Sequence, residues 1–469
     1  MPNKPNIVYI LADDMGYGDV SCLNENCAFE TPHLDRLARE GIAFTDAHSN
    51  SAVCTPTRYG VLTGRYCWRT RLKHGVLFGY SAPLIEEGRM TVPSFLGSQG
   101  YRTACVGKWH LGWEWPLNSD DAEDVDFTKP IRRGPCDVGF DRFFGISASL
   151  DMPPYVYVRD QLPTSLPDRE TENTDSKGFW RKGPTGADFR HEEVLPTCLD
   201  QAVSFIEEWS ADASEAPFFI YFPLPAPHTP ILPTADYQGR SGTNEYGDFV
   251  LQVDGTVGRI MDALERCGVA DNTLLVFTSD NGCSPRADYS ELAQWNHCPS
   301  YHFRGHKADI FEGGHRIPFI ARWPGVIPAG SFSDEIICLT DLLATCADIL
   351  DVELPDDAGE DSVSNLPALR GESREQPLRE ATVHHSINGS FSIRQGKWKL
   401  EMCPGSGGWS HPKPDEAKRL GLPPVQLYDM EQDVRETTNL QAEHPEIVAR
   451  LSALLESYQT QDRSVDRGR

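Results

Sequence analysis

The 469-residue sequence contains no apolar run long enough to cross a bilayer; its longest, such as Phe218–Phe222 and Thr273–Phe277, have the length of buried strands. It also lacks any C-x-x-C pair. Its 13 cysteines are scattered, which excludes a disulfide scaffold and a zinc knuckle. Positive charge is in deficit, with 43 Lys and Arg against 69 Asp and Glu and a net charge of −26. Such a surface repels polyanions and excludes nucleic acid as a partner. A small anionic substrate stays open, because a local group of cations outweighs distant acidic charge once screening acts over about 10 Å. The opening MPNKPNIVYI has no signal-peptide pattern. A cytoplasmic protein is expected as written, or a periplasmic or secreted one if a leader was removed.

The first two-thirds of the chain alternates strand and helix patterns. Asn6–Leu11 (NIVYIL), Tyr101–Val106, Phe218–Phe222 and Leu274–Thr278 have the composition of core strands. Thr31-Pro32 opens a helix that carries Leu34, Leu37 and Ala38, and Phe249–Leu264 places apolar residues at helical spacing. The alternation predicts an α/β fold, a large mostly parallel sheet sandwiched by helices over residues 1–355. Ligands in such folds gather beyond the carboxyl ends of the strands. Residues 356–380 form a polar, Pro- and Gly-punctuated connection. Residues 381–469 combine short strands with a final helix, which predicts a smaller C-terminal α+β domain with a short antiparallel sheet. Glu114–Arg133 and Leu162–Arg190 read as polar surface insertions near a functional rim.

Polar residues follow the strands in order. NIVYIL runs into Asp13 and Asp14, and TLLVFTS runs into Asp280 and Asn281. Three carboxylates at one edge repel, so one is pushed toward protonation unless a cation neutralises them. The donors are all oxygens, which suits Ca²⁺, or Mg²⁺, rather than zinc. GKWHLG adds Lys108 and His110, PLPAPHTP adds His228, and FRGHKADIFEGGHRIPF adds Lys307. In SAVCTPTRYGVLTGRY, Pro56 is compatible only with a first helical turn. Cys54 therefore lies at a helix N-terminus, where an anion is favoured and a thiol ordinarily becomes a low-pKa nucleophile. A soft sulfur facing a hard-ion site is a chemical mismatch.

C-x-P-x-R followed by L-T-G-R resembles the signature of the type I, formylglycine-dependent sulfatases, which are arylsulfatase-like enzymes of the alkaline phosphatase superfamily. The ordered set ADD, CTPTR, GKWHLG, APHTP, SDNG and G-x-K with EGGHRIP covers about residues 4–350, and LYDMEQDVRETTNL resembles the family's C-terminal part. The resemblance implies an alkaline phosphatase-like fold and a sulfuric ester hydrolase. It implies that a formylglycine-generating enzyme converts Cys54 to formylglycine, whose hydrate is an oxygen nucleophile. It implies one Ca²⁺ held by Asp13, Asp14, Asp280, Asn281 and the modified Cys54. Arg58, Lys108 and His110 would orient and activate the hydrate, and His228 and Lys307 would grip the sulfate, with His228 protonating the leaving oxygen. His306 and His315 depart from the family pattern, which expects smaller or aliphatic residues there, and are read as bearing on substrate contacts.

The expected substrate is a small anionic one, a sulfated sugar or oligosaccharide taken at a chain end, with galactose or N-acetylgalactosamine sulfates as examples. Trp109, with Trp113 and Trp115, offers aromatic faces for a sugar, although packing beneath an insertion explains such a cluster equally well. His302 and Arg304 are candidates for a hydroxyl or a second anionic group. Two rival readings remain: a phosphonate monoester or phosphodiester hydrolase on the same scaffold, and a non-catalytic carbohydrate-binding homologue with an unmodified Cys54.

Overall fold

A computed structural model describes residues 4–212 and 216–466. The centre of the large sheet is the strand Asn6–Ala12, every residue of which is buried. It lies between Phe218–Pro223 and Thr273–Ser279, parallel to both. A strand covered on both faces must be apolar throughout, and NIVYILA, FFIYFP and TLLVFTS meet that requirement. Arg102–Lys108 and Arg142–Ile146 extend the parallel set on one side. On the other, Phe319–Arg322 runs antiparallel to Thr273–Ser279 and also pairs with Ile42–Phe44. Among the described residues, ten strands make this sheet.

Two apolar clusters cover its faces. One gathers the helices Val194–Ser210 and Glu245–Arg266 with Leu34 and Leu37 of Pro32–Arg39. The other gathers Tyr59, Val61 and Leu62 of the helix Cys54–Thr63 with Leu342–Ile349. The helix expected over Phe249–Leu264 is longer than its apolar stripe, because Asn244 caps the N–H groups of Tyr246 and Gly247 and starts it earlier.

The C-terminal sheet is antiparallel and follows chain order: Thr382–His385, Phe391–Gln395, Trp398–Glu401, Gln426–Asp429. The helix Pro445–Thr460 buries Leu451, Leu455 and Tyr458 against it. Tyr66 and Trp68, which follow the helix Cys54–Thr63 in the chain, join the same cluster.

The segment Leu162–Arg190, read as a polar surface insertion, contains a β-hairpin, Pro167–Asn173 paired with Trp180–Gly186. Its strand residues are mostly polar or glycine and few of them are buried, so alternation left no apolar signal to read. Among the described residues, no helix is long and apolar enough to cross a membrane.

Candidate active site

Register brings the acidic residues together. Ala12 pairs with Ser279, so the next residue of each strand, Asp13 and Asp280, emerges at the same height. Asp280 N–H donates to the Ala12 carbonyl at 3.0 Å, and Asp14 N–H donates to Asp280 Oδ1 at 3.2 Å. Asp14 turns the chain with φ of 68°, a left-handed conformation that costs a non-glycine residue free energy and clusters at functional sites. Lys108 ends Arg102–Lys108 at this edge, and His110 follows with φ of 59°. Asp13, Asp280, Asn281, Arg58, Lys108 and His110 are all fully buried.

The cations hold these carboxylates. Lys108 Nζ lies 2.6 Å from Asp13 Oδ2, and Lys307 Nζ lies 2.6 Å from Asp14 Oδ1. Arg58 donates from Nε (3.0 Å) and Nη2 (2.7 Å) to Asp280 Oδ2, and from Nη1 to the Lys108 carbonyl at 2.9 Å. Burial and the charge of Asp13 push the Asp280 carboxyl up to about 6 despite Arg58. Burial acts in the same direction on Asp13, but the fixed charges of Lys108 and Arg58 outweigh it and keep that group ionised.

Cys54 is the first residue of Cys54–Thr63, with Val53 in extended conformation before it. The Ala308 N–H donates to the Ala52 carbonyl at 2.8 Å and the Lys307 N–H to the Cys283 carbonyl at 2.9 Å, which ties the Lys307 loop to both the cysteine and the Asn281 turn. Gly282 is required in that turn: a Cβ there would sit 1.8 Å from the Gly313 carbonyl oxygen. Cys54 is 2% exposed. Burial raises its thiol pKa, although Lys108 and Lys307 pull the other way. The encoded side chain is therefore a protonated thiol, not the low-pKa nucleophile expected of a helix N-terminus, because desolvation outweighs the nearby lysine charges.

His110 Nε2–H donates to the Leu77 carbonyl at 2.8 Å, which leaves Nδ1 as a buried acceptor without a donor. His228 Nδ1 donates to the Thr229 carbonyl at 2.5 Å and turns Nε2 toward Asp14 Oδ2, 3.6 Å away. Burial and Lys307 lower the His228 pKa, so the imidazole is neutral in the free site.

The donor set fits a hard divalent cation. Asp13, Asp14 and His228 offer ligand atoms within 4.8 Å of one another. Asp13 Oδ1 and Asn281 Oδ1 are buried without hydrogen-bond partners, and a cation would satisfy both. Asn281 Nδ2 donates to Asp14 Oδ1 at 2.7 Å, which fixes the amide with its oxygen turned away from that carboxylate.

Of the candidates for substrate contact, the tryptophans are closed off by packing. Trp109 is 1% exposed and packs in the core with Phe140, its Nε1 donating to the Gly112 carbonyl, so its face is closed to a sugar. Trp113 and Trp115 are buried against each other. Arg304 donates to the Glu436 carbonyl at 2.7 Å and lies over Phe311. The His302 ring lies against Tyr301 with the two planes tilted by 40°, and the Tyr301 hydroxyl is held by Glu25.

His315, read as bearing on substrate contacts, is instead fully buried between the two sheets with His48 and His384. His306 is half-buried, its ring nitrogen Nδ1 2.9 Å from the Lys307 carbonyl. The three clustered histidines could be taken for a metal centre, but the hydrogen bonds close without one. His48 Nε2–H donates to ionised Asp46 at 2.7 Å, so His48 Nδ1 accepts from His315 Nδ1–H at 2.9 Å, and His315 Nε2 accepts from Lys399 Nζ at 3.1 Å. His384 stacks on His315 at 4.0 Å with planes 9° apart, and two parallel rings cannot both point a lone pair in plane at one ion. Glu312, Arg316 and Arg394 surround the chain, and Glu436 and Glu401 flank Lys399. This relay steadies the turn whose Gly314 carbonyl accepts from Gly282 N–H and whose His315 carbonyl accepts from Ser49 N–H.

An acidic cleft with captive cations at the carboxyl edge of this sheet is the arrangement of an alkaline phosphatase-superfamily ester hydrolase. Comparison with known proteins narrows that class. The sulfatase family model matches residues 5–352. The N-acetylgalactosamine-6-O-sulfatase of Bacteroides thetaiotaomicron is 34% identical over 97% of this chain and 93% of its own. Human N-acetylgalactosamine-6-sulfatase is 29% identical over 98% of this chain and 86% of its own. A solved Bacteroides thetaiotaomicron structure, from work on its metabolism of multiple glycosaminoglycans, superposes with a TM-score of 0.86 at 34% identity, covering 98% of this chain and all of that one. The chain belongs to the sulfatase family, in its formylglycine-dependent, arylsulfatase-like branch, and is a sulfuric ester hydrolase.

Two outcomes follow from the electrostatics. Arg58→Ala leaves Asp280 buried without its counter-charge and should cost about 3–5 kcal/mol in urea unfolding, with Arg58→Lys intermediate. Burial holds His48, His315 and His384 neutral below their ordinary range. Below about pH 6.5 the unfolded chain binds protons that the fold refuses, so stability falls with pH, each histidine contributing about 1.4 kcal/mol per pH unit. Urea midpoints between pH 7 and pH 5 should therefore decline, and His384→Phe should flatten the decline; an unchanged slope contradicts the assignment.

Proposed function

We propose that the protein hydrolyses the sulfate ester of a sulfated carbohydrate taken at a chain end, using a formylglycine made from Cys54 by a formylglycine-generating enzyme and a bound Ca²⁺. The observation that carries this reading is the position of Cys54: a buried, protonated thiol at a helix tip, with Lys108, Lys307, Asp280 and Asp13 as its electrostatic neighbours. A thiol is ill suited to that setting, and an oxygen is well suited to it.

Asp13, Asp14, Asp280 and Asn281 would hold the ion together with residue 54. The ion would supply Lewis-acid stabilisation of charge on the sulfuryl oxygens. The aldehyde hydrate would supply an oxygen nucleophile and a second hydroxyl through which the carbonyl re-forms and sulfate leaves. Arg58 is tied to Asp280 and to the Lys108 carbonyl and keeps its charge beside the helix tip. His110 Nδ1, an acceptor lacking a donor, is placed to take a hydroxyl proton. Lys108 and Lys307 are preorganised positive charge that need not rearrange as the transition state forms. His228 and Lys307, 8% and 5% exposed, are the least buried of these groups and face the incoming ester. An anion bound beside His228 raises its proton affinity and readies it to protonate the departing alkoxide.

The names of the relatives support an N-acetylgalactosamine 6-sulfate as the sugar. The phosphonate or phosphodiester alternative is separated by comparing aryl phosphonate with aryl sulfate turnover, and the sulfate ester is expected to be much the faster. Mass spectrometry of the peptide spanning Cys54, from protein made with the maturation enzyme, should show the aldehyde. A thiol throughout would remove the nucleophile and favour the carbohydrate-binding reading. His228→Ala should slow sugar sulfates by about 10²–10⁴ and acidic aryl sulfates far less; equal slowing would exclude His228 as the proton donor.

A further inference from the structure

The tip of the hairpin Pro167–Gly186 carries a feature that the sulfate site does not use. Phe179 lies between two guanidinium groups, with Arg286 Cζ 5.7 Å and Arg181 Cζ 5.5 Å from its ring centre. Arg181 Cζ in turn lies 5.8 Å from the ring of Phe78, which is 54% exposed. Four side chains thus alternate cation, ring, cation, ring. Such contacts hold a guanidinium plane in place while leaving its edges free to bind.

Each anchor of this ladder belongs to a loop that holds part of the catalytic cleft. Phe78 follows Leu77, whose carbonyl accepts from His110 and whose N–H donates to Thr55 Oγ1 at 3.2 Å. Arg181 grips Asp151 at 2.5 Å, on the segment whose Ser147 carbonyl accepts from His110 N–H. Arg286 lies five residues beyond Asn281 and donates to the Ser176 carbonyl at 3.3 Å. The tip is also tied to the His228 loop, where Ile231 N–H donates to the Lys177 carbonyl at 2.9 Å. The ladder is therefore joined, through short hydrogen-bonded connections, to the segments that carry His110, His228 and Asn281.

Charge decides what it would bind. Asp151 neutralises Arg181, and Glu245 and Glu291 neutralise Lys177. Arg286 is exposed and, among the described residues, has no carboxylate within 4.0 Å, in a protein of net charge −26. The cavity of 880 Å³ that Arg286 also lines carries Asp175, Glu192, Glu245 and Asp288 and has the wrong sign for an anion. Resting on the sulfatase reading, we propose that the Arg286–Phe179–Arg181–Phe78 ladder is a second subsite, at which Arg286 binds an anionic group, carboxylate or sulfate, on the sugar next to the one that loses its sulfate.

The test compares kcat/KM for three substrates: a sulfated monosaccharide, the same sugar linked to a hexuronate, and that disaccharide after carboxyl reduction. A disaccharide with a sulfate in place of the carboxylate distinguishes the two anions. The wild-type enzyme should prefer the hexuronate over its reduced form by about tenfold at low salt, and less at high salt. Arg286→Ala should abolish the preference, Arg286→Lys should keep part of it, and Arg286→Glu should invert it. Turnover of an aryl sulfate should change by less than about twofold in all three. An absent preference in the wild type overturns the proposal, as does an equal loss on the monosaccharide and aryl sulfate. If protein bearing the Cys54 aldehyde turns over no sulfate ester at all, the sulfatase reading fails instead. The ladder is then judged by saturation-transfer NMR of the unsulfated hexuronate disaccharide on Cys54→Ala protein, with binding lost in Arg286→Glu expected and no binding overturning it.

Discussion

Three buried carboxylates at one sheet edge set the terms for everything around them. Asp13, Asp14 and Asp280 cannot remain ionised together in a dry site unless fixed positive charge stands beside them. Lys108, Lys307 and Arg58 provide it in equal number, each within hydrogen-bond distance of one carboxylate. The cluster is thus near neutrality before any ligand arrives. A divalent ion would turn it positive, which is how a protein with an acidic surface can receive an anion.

That balance demands rigid support, and much of it comes from outside the parallel sheet. The turn after Asn281 is braced by the Glu312–His315 segment, and that segment is braced by Lys399 and Glu436 from the C-terminal sheet and the chain beyond it. The histidine relay between Lys399 and Asp46 is neutral and fully enclosed, so it orders polar groups without adding buried charge. The C-terminal sheet is in this sense part of the catalytic framework, although it supplies none of the clustered charges.

Strands were readable from sequence where burial on both faces made them continuously apolar, as in NIVYILA and TLLVFTS. The residues after them were readable as a site because parallel strands of similar length deliver their carboxyl ends to one edge. The hairpin Pro167–Gly186 was not readable, since both of its faces are polar and its order comes from anchors distant in sequence, such as Ile231, Glu245 and Asp151. Trp109 misled for the opposite reason. Aromatic and cationic residues near a motif look alike in sequence whether they face a cleft or a core, and only packing separates the two.

By itself, the order of residues determined which chemical groups end which strands, that Cys54 opens a helix, and that its neighbours in the motif set are cations and hard oxygen donors. Those properties are local or follow from periodicity. Only the tertiary structure decided that the Cys54 thiol is protonated, that His315 is a strut instead of a substrate contact, and that Arg286 has no carboxylate partner among the described residues. Each of those depends on desolvation and on charges arriving from far along the chain, and such distances are set by folding rather than by sequence spacing.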